Sequence, residues 1–324
     1  MQGTSSLTEG RPIGKADPMF TYTPYDGKRQ PFSIGVAPLD PLDWIRPDAR
    51  LADELAQKEA LIGRQRDTVW REEDGTRGAQ AEVRDALAAF LAARYPHWFQ
   101  RRGGAMDVLP AGRAIALADG APPLLAASRL IQDDLCLMRH SPQGWRLVAA
   151  SLCAPSTWSL AEKIGLPMGA IHAPVPGFAG RMGQVIDRIF DNLQPDQPVE
   201  RFNWSIYGDS RLNHALSRAA PHEHFPDGAP VMECAHIRVE RQTLRRMPGS
   251  GDILFTIRIY PDPIAMFVTH PLGAALAAGL RGQLMALNAE QLAYKGLVLA
   301  RERLALALQQ LAAGVRREAI PVPQ

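Results

Sequence analysis

The chain has 324 residues, of which 46% are hydrophobic and 22% charged, and its formal net charge is +2. This length allows one large domain or two ordinary ones with a substantial core, and the near-balanced charge argues against a nucleic-acid binder that works through a basic face. The polar stretch Met1 to Lys15 lacks the apolar centre of a signal peptide, and no apolar run approaches the roughly 20 residues that cross a bilayer, so a cytoplasmic protein with no membrane partner is expected. Cys136, Cys153 and Cys234 are odd in number and widely spaced without a Cys-x-x-Cys pair, which points to reduced thiols and not to a disulfide, iron–sulfur or zinc framework.

Residues 1–31 are rich in Gly, Pro, Ser and Thr and read as a tail or surface arm, with a single folded unit expected over residues 32–320. Leu51 to Arg64 has a helical pattern, and Ala79 to Tyr95 carries Val83, Leu87, Phe90 and Leu91 on one face before Pro96 stops it. Leu135 to Met138 and Trp145 to Ser151 flank a turn-like Ser-Pro-Gln-Gly and read as a hairpin. A second, clearer hairpin joins Cys234–Arg246 to Asp252–Tyr260 around Met-Pro-Gly-Ser-Gly, its second strand alternating Phe255, Ile257 and Ile259 with Leu254, Thr256, Arg258 and Tyr260. Beyond His270, leucines at helical spacing (276, 280, 284, 287 and 304, 308, 311) predict a helical end. Helices, then strands, then helices make an α+β class, not alternating βαβ units.

Three constellations can carry chemistry. Residues 162–177 place His172 among Pro167, Pro174 and Pro176 and Gly165, Gly169 and Gly177, a backbone that holds one imidazole firmly. Such a side chain can serve as a metal or haem ligand, a general base or a core hydrogen-bonder. In the late hairpin, symmetrical closure puts Arg241 opposite Arg258, Thr243 opposite Thr256 and Arg245 opposite Leu254. Facing arginines call for an anion beside them, whereas a one-residue slip puts Arg241 opposite Ile259 and leaves two solvated arginines on different faces. His222, His224, Cys234 and His236, with His214 nearby, are ligand types suited to zinc, although their spacing matches no established metal pattern. Trp158 and the Asn203-Trp204 pair can stack on a flat ligand or simply fill core.

Several blocks in order carry a wider likeness: Val36-Ala-Pro-Leu-Asp-Pro-Leu-Asp-Trp44, Gln132-Asp-Asp-Leu-Cys136, Pro155-Ser-Thr-Trp158, Glu162-Lys-Ile-Gly165, Ile171-His-Ala-Pro-Val-Pro-Gly177, Asn203-Trp204, Glu240-Arg-Gln-Thr-Leu-Arg-Arg246 and Tyr294-Lys-Gly296. From about Phe32 to about Gly296 the chain resembles the haem-dependent oxidative N-demethylase alpha-subunit family. The resemblance implies a PAS-like antiparallel sheet enlarged by N-terminal and C-terminal helices, a bound haem b, and oxidative demethylation of a small, dimethylamine-like N-methylated amine by O2 with release of formaldehyde. It makes His172 the proximal haem ligand. It puts Arg241, Arg258 and Arg245 on the polar wall, near the propionates or bound oxygen, with Glu240 and Tyr260 as neighbours of an alkylammonium substrate. Electrons are then expected from a separate NADPH-, flavin- and iron–sulfur-dependent reductase, and a folate-binding subunit is expected to collect the formaldehyde. The likeness thins between Arg211 and Cys234 and after Gly296. Two rival readings are a PAS-type haem sensor without turnover and a zinc-dependent hydrolase built on His222, His224, Cys234 and His236.

Overall fold

Uninterrupted pairing over eleven residues makes the late hairpin the axis of the molecule, and each of its strands buries most residues on both faces. The computed structural model describes residues 20–216 and 222–314. The first part of the chain forms β1 (Ala37–Pro38), α1 (Leu51–Val69), β2 (Trp70–Glu72) and α2 (Arg77–Arg94). There follow β3 (Phe99–Arg102), β4 (Ala105–Val108), β5 (Arg113–Ala116), α3 (Pro123–Ser128), β6 (Asp134–Ser141) and β7 (Gly144–Ser151). Three short helices come next, α4 (Leu160–Lys163), α5 (Met168–Ile171) and α6 (Gly183–Asn192), then β8 (Val199–Tyr207) and α7 (Val231–Cys234). The chain closes with β9 (His236–Arg246), β10 (Ile253–Pro263), α8 (Gly273–Met285), α9 (Ala289–Tyr294) and α10 (Arg301–Ala312).

Seven strands form one antiparallel sheet in the order β1-β8-β9-β10-β6-β7-β2, and β3-β4-β5 form a small second sheet. The mixed helix and antiparallel-sheet class is the α+β class expected from element order. The symmetrical register is the one adopted, with Arg258 opposite Arg241, Thr256 opposite Thr243 and Leu254 opposite Arg245. A bulge between Leu137 and Met138 offsets the β6–β7 pairing.

One face of the large sheet carries two apolar clusters. Leu135, Leu137, Val148 and Leu254 pack with α1, α2 and α3, while Ile206, Ile237, Val239 and Tyr260 pack with α8 and α10. The other face, with Cys136, Met138, Leu147, Ile257 and Ile259, is covered by α4, α5 and α6. Helix α1 runs past the expected end at Arg64, continuing to Val69 beyond a non-helical Gln65 (φ −141°, ψ 40°).

The arm differs from expectation. Phe20 and Tyr25 are buried, with Phe20 stacked on Phe267 at 4.6 Å, so residues 20–31 are part of the packed domain; residues 1–19 and 315–320 lie outside the described residues. The apolar gain from two aromatic rings outweighs the Gly and Pro content that marked this stretch as a tail. No helix among the described residues is long and apolar enough to cross a membrane.

The first face is locked by charge as well as by packing. Arg258 Nη2 donates to Asp48 Oδ2 at 2.7 Å and Arg258 Nη1 to Glu54 Oε2 at 2.6 Å, and Gln132 bridges the same two carboxylates at 2.8 and 3.1 Å. Burial alone would raise the Asp48 carboxyl, but Arg258 and Arg50 outweigh it and hold it down at about 2. Because that value lies below the ordinary carboxylate range, the stability contributed by Asp48 is fully present above about pH 4 and is lost as pH falls through about 2. Denaturant unfolding between pH 7 and pH 2 is expected to lose this contribution in the wild type, and Asp48→Asn should lower stability at pH 7 while flattening the acid limb.

Candidate functional site

His172 sits at the C-terminal end of the single turn α5, which Pro167 starts from an extended φ/ψ. Its backbone N–H and its ring Nδ1 both reach the Met168 carbonyl at 3.1 Å. Since a carbonyl only accepts, Nδ1 carries the proton and Nε2 keeps its lone pair. The ring stacks on Phe178 at 4.6 Å and 13°, which sets its plane. Gly165 and Gly177 adopt φ of +78° and +79°, so two of the three glycines in the block serve a backbone closed to most side chains. Burial, assisted by Lys163 and Arg201, lowers the imidazole to about 4 against the opposing pull of the Met168 carbonyl, and the ring is neutral at physiological pH.

His172 faces a cavity enclosed between the second face of the large sheet and α4–α6. Strand alternation sends Glu240, Gln242 and Leu244 of β9, Phe255 and Ile257 of β10, and Cys136 and Met138 of β6 into its wall. Helical residues Met168, Ile171, Phe178, Ile186 and Phe190 supply the opposite, apolar side. Phe32, Ile34 and Val36 close one edge as a strap leading into β1. Burial also pushes the Cys136 thiol up, so it lines the cavity as a neutral apolar group.

The β8–β9 end of the wall is polar. Ser156 Oγ donates to Glu240 Oε1, and Gln242 Nε2 donates to Glu240 Oε2 at 2.8 Å. Arg238 Nε in turn donates to Ser156 Oγ at 2.8 Å while its Nη2 is met by the Ala154 and Leu212 carbonyls, both at 2.7 Å. Thr157 holds φ at +59°, an unusual conformation for a β-branched residue, and its hydroxyl pairs with the Tyr207 hydroxyl at 2.9 Å. Arg201 lies on the same wall, opposite Gln242 in the strand register. It makes no hydrogen bond or ion pair among the described residues, and burial lowers its pKa despite the field of Glu240.

Of the residues singled out from sequence, His172, Glu240, Trp158, Asn203 and His224 line this cavity. Arg241, Arg245, Arg258 and Tyr260 do not, which corrects their expected place on the polar wall. Period-two alternation puts them on the opposite face, where the protein supplies the anions itself. Arg241 pairs with Glu200 at 2.9 Å and donates to the Trp44 and Asp43 carbonyls at 3.1 and 2.6 Å. Arg258 is taken by Asp48 and Glu54, Arg245 lies 4.3 Å over the Trp44 ring, and Tyr260 lies under Arg258 at 4.9 Å. Arg246 donates to the Leu193 and Phe190 carbonyls.

The histidine-rich loop gives stacking and not convergence. Tyr207 stacks on His224 at 3.7 Å and packs on His214 at 4.4 Å, while His236 Nδ1 engages the Cys234 carbonyl at 2.8 Å. Among the described residues no group of three or more His, Cys, Asp or Glu side chains is arranged to hold a metal ion. Reasoning from sequence missed Arg201, Gln242, Ser156 and the strap. The signal for the first two was the alternation of β8 and β9, readable once the hairpin's cavity face is known.

A haem needs a neutral imidazole with a free lone pair, apolar walls for the macrocycle and cations for its propionates. His172, the Met168–Phe190 side, and Lys163 and Lys295 in the wall, whose ammonium groups also donate to the Ile171 and Trp204 carbonyls, fit these requirements. Residues 35–305 match the family model described as haem-dependent oxidative N-demethylase, alpha subunit-like. The face assignment is testable directly. Arg241→Gln is expected to lower stability in urea by about 3 kcal/mol, as loss of one partner from a buried pair does, without moving the Soret band. A moved band at unchanged stability would put Arg241 on the cavity side.

Proposed function

The chain belongs to the haem-dependent oxidative N-demethylase, alpha subunit-like family, and on that premise we propose that it is the oxygenase component that binds haem b through His172 and removes a methyl group from an N-methylated amine. The observation that carries this reading is the orientation of His172: Nδ1 is committed to the Met168 carbonyl, the ring is clamped against Phe178, and the remaining nitrogen belongs to a neutral imidazole in the wall of an apolar cavity. The antiparallel sheet with its ligand cavity on one face, bracketed by short helices, supports a PAS-like description enlarged at both ends.

When bound, the haem supplies activation of dioxygen. The reaction oxidises the methyl carbon to formaldehyde and breaks its bond to nitrogen. One oxygen atom leaves in formaldehyde and the other in water, and the balance is completed by two protons and two electrons from a reductant outside this chain. That reductant is a separate NADPH-, flavin- and iron–sulfur-dependent partner, and the formaldehyde passes to a folate-binding subunit. Within this chain, Lys163 and Lys295, held by the Ile171 and Trp204 carbonyls, place positive charge in the wall for the propionates. Ser156 and Gln242 hold the Glu240 carboxylate in place, where its charge favours an ammonium over a neutral amine. The α4–α6 side and the strap line the cavity with apolar groups, which lowers the local polarity and strengthens that preference.

The haem-supplied protein is expected to show a Soret band that responds to dithionite and carbon monoxide, and to release formaldehyde from dimethylamine with an artificial reductant. His172→Ala should remove or greatly weaken haem binding with the fold retained by circular dichroism. An unchanged Soret band in that variant would sink the ligand assignment, and a normal haem spectrum without formaldehyde would favour a haem sensor over an oxygenase.

A further inference from the structure

We infer that the polar wall recognises a zwitterion, and that the amine demethylated here is an N-methylated amino acid: Arg201 receives its carboxylate, while Gln242 and Glu240 receive its ammonium N–H groups. This rests on the N-demethylase reading and adds the substrate class.

The argument starts from the β8–β9 register. Arg201 is directly opposite Gln242, and Asn203 is opposite Glu240, so Arg201 and Glu240 are diagonal neighbours on the cavity face, about 7 Å apart at their Cβ atoms. Opposite charges at that spacing ordinarily close into an ion pair, yet Arg201 makes none among the described residues, and its Nε is buried without an acceptor. Glu240 cannot swing across, because Ser156 Oγ holds one oxygen and Gln242 Nε2 the other. That second bond also settles the Gln242 amide, since a carboxylate accepts only and must face the NH2 group. The Gln242 Oε1 atom is thereby turned away from Glu240, and it too is buried without a donor.

The wall therefore holds an orphaned guanidinium donor and an orphaned carbonyl acceptor on directly opposite residues, with a tethered carboxylate beside them. Leaving such groups unmade is costly in a buried site. A carboxylate on Arg201 together with an N–H donor for Gln242 and Glu240 satisfies all three, and a secondary ammonium one carbon from a carboxylate carries both in one molecule. A haem propionate on Arg201 would satisfy the guanidinium alone and set a second negative charge beside Glu240. Dimethylammonium would satisfy the acceptors alone. The chemistry then balances as for any N-methylated amine, with N-methylglycine giving glycine, formaldehyde and water.

Titration calorimetry on the haem-loaded protein without reductant tests this, with N-methylglycine and dimethylamine as probes. N-methylglycine is expected to bind at least about tenfold more tightly, the effect of a charge-assisted bond. Arg201→Gln should abolish that difference by weakening N-methylglycine binding, and Arg201→Lys should restore part of it. Equal affinities in the wild type would overturn the proposal. So would an Arg201→Gln protein that loses haem faster to apomyoglobin yet keeps the preference, because the guanidinium would then serve a propionate. Binding is read without turnover, so a missing Soret band or missing formaldehyde counts against the oxygenase reading, whereas an absent preference in a haem-loaded, active protein counts against the zwitterion alone.

Discussion

The pairing of Arg258 with Asp48 and Glu54 is the contact on which the rest depends. Two arginines directly opposite each other on adjacent strands repel, and the sheet tolerates them because carboxylates from the loop before α1 and from α1 itself close over one of them while Glu200 and two backbone carbonyls take the other. Such a buried set contributes little net stability over apolar packing, but removing any partner leaves a charge stranded, so it specifies where the segment around Trp44 and α1 must dock. Gln132 and Lys58 extend the lock: Gln132 joins Asp48 to Glu54, and Lys58 caps the carbonyls of Ser128, Ile131 and Asp133.

With the first face sealed in this way, the second face is free to be a site. Glu240, Gln242 and Leu244 of β9 point away from the arginine set into the cavity, so a single run of sequence, Glu240-Arg-Gln-Thr-Leu-Arg, builds scaffold and pocket at once. The clamped imidazole faces this wall from α5. Its geometry is local: one helical turn, one carbonyl, one stacked ring and two left-handed glycines set its tautomer and plane with little help from distant parts of the chain. The polar wall is the opposite case, since Ser156, Arg201, Glu240 and Gln242 come together only through strand pairing and the strained turn at Thr157.

What could be read in advance follows that division. Periodic segments with clear punctuation were legible: α2 before Pro96, the hairpin β6–β7, the long hairpin β9–β10, and the leucine-patterned α8 and α10. The small sheet β3–β5 was not, because four-residue strands carry too little alternation, nor was the burial of Phe20 and Tyr25 in a stretch whose composition resembles a tail. Of the two hairpin registers left open, the structure adopts the one in which the arginines face each other, and that register calls for anions beside them. The anions proved to be the protein's own Asp48, Glu54 and Glu200, far away in sequence and invisible to any pattern within the hairpin.

By itself, the sequence determined the class of fold, the firm placement of His172 and the existence of the late hairpin, because these depend on covalent geometry and on neighbours a few residues apart; of the two registers it left open, the structure adopts the one that opposes Arg241 and Arg258. Only the tertiary structure decided which face of the sheet each residue joined. Alternation states that Glu240 and Arg241 part company, but it carries no sign, and the sign is set by which elements pack on which side. Helices α1 and α8 took the arginine face, α4–α6 took the other, and that choice made Glu240, Gln242 and Arg201 the wall of the cavity.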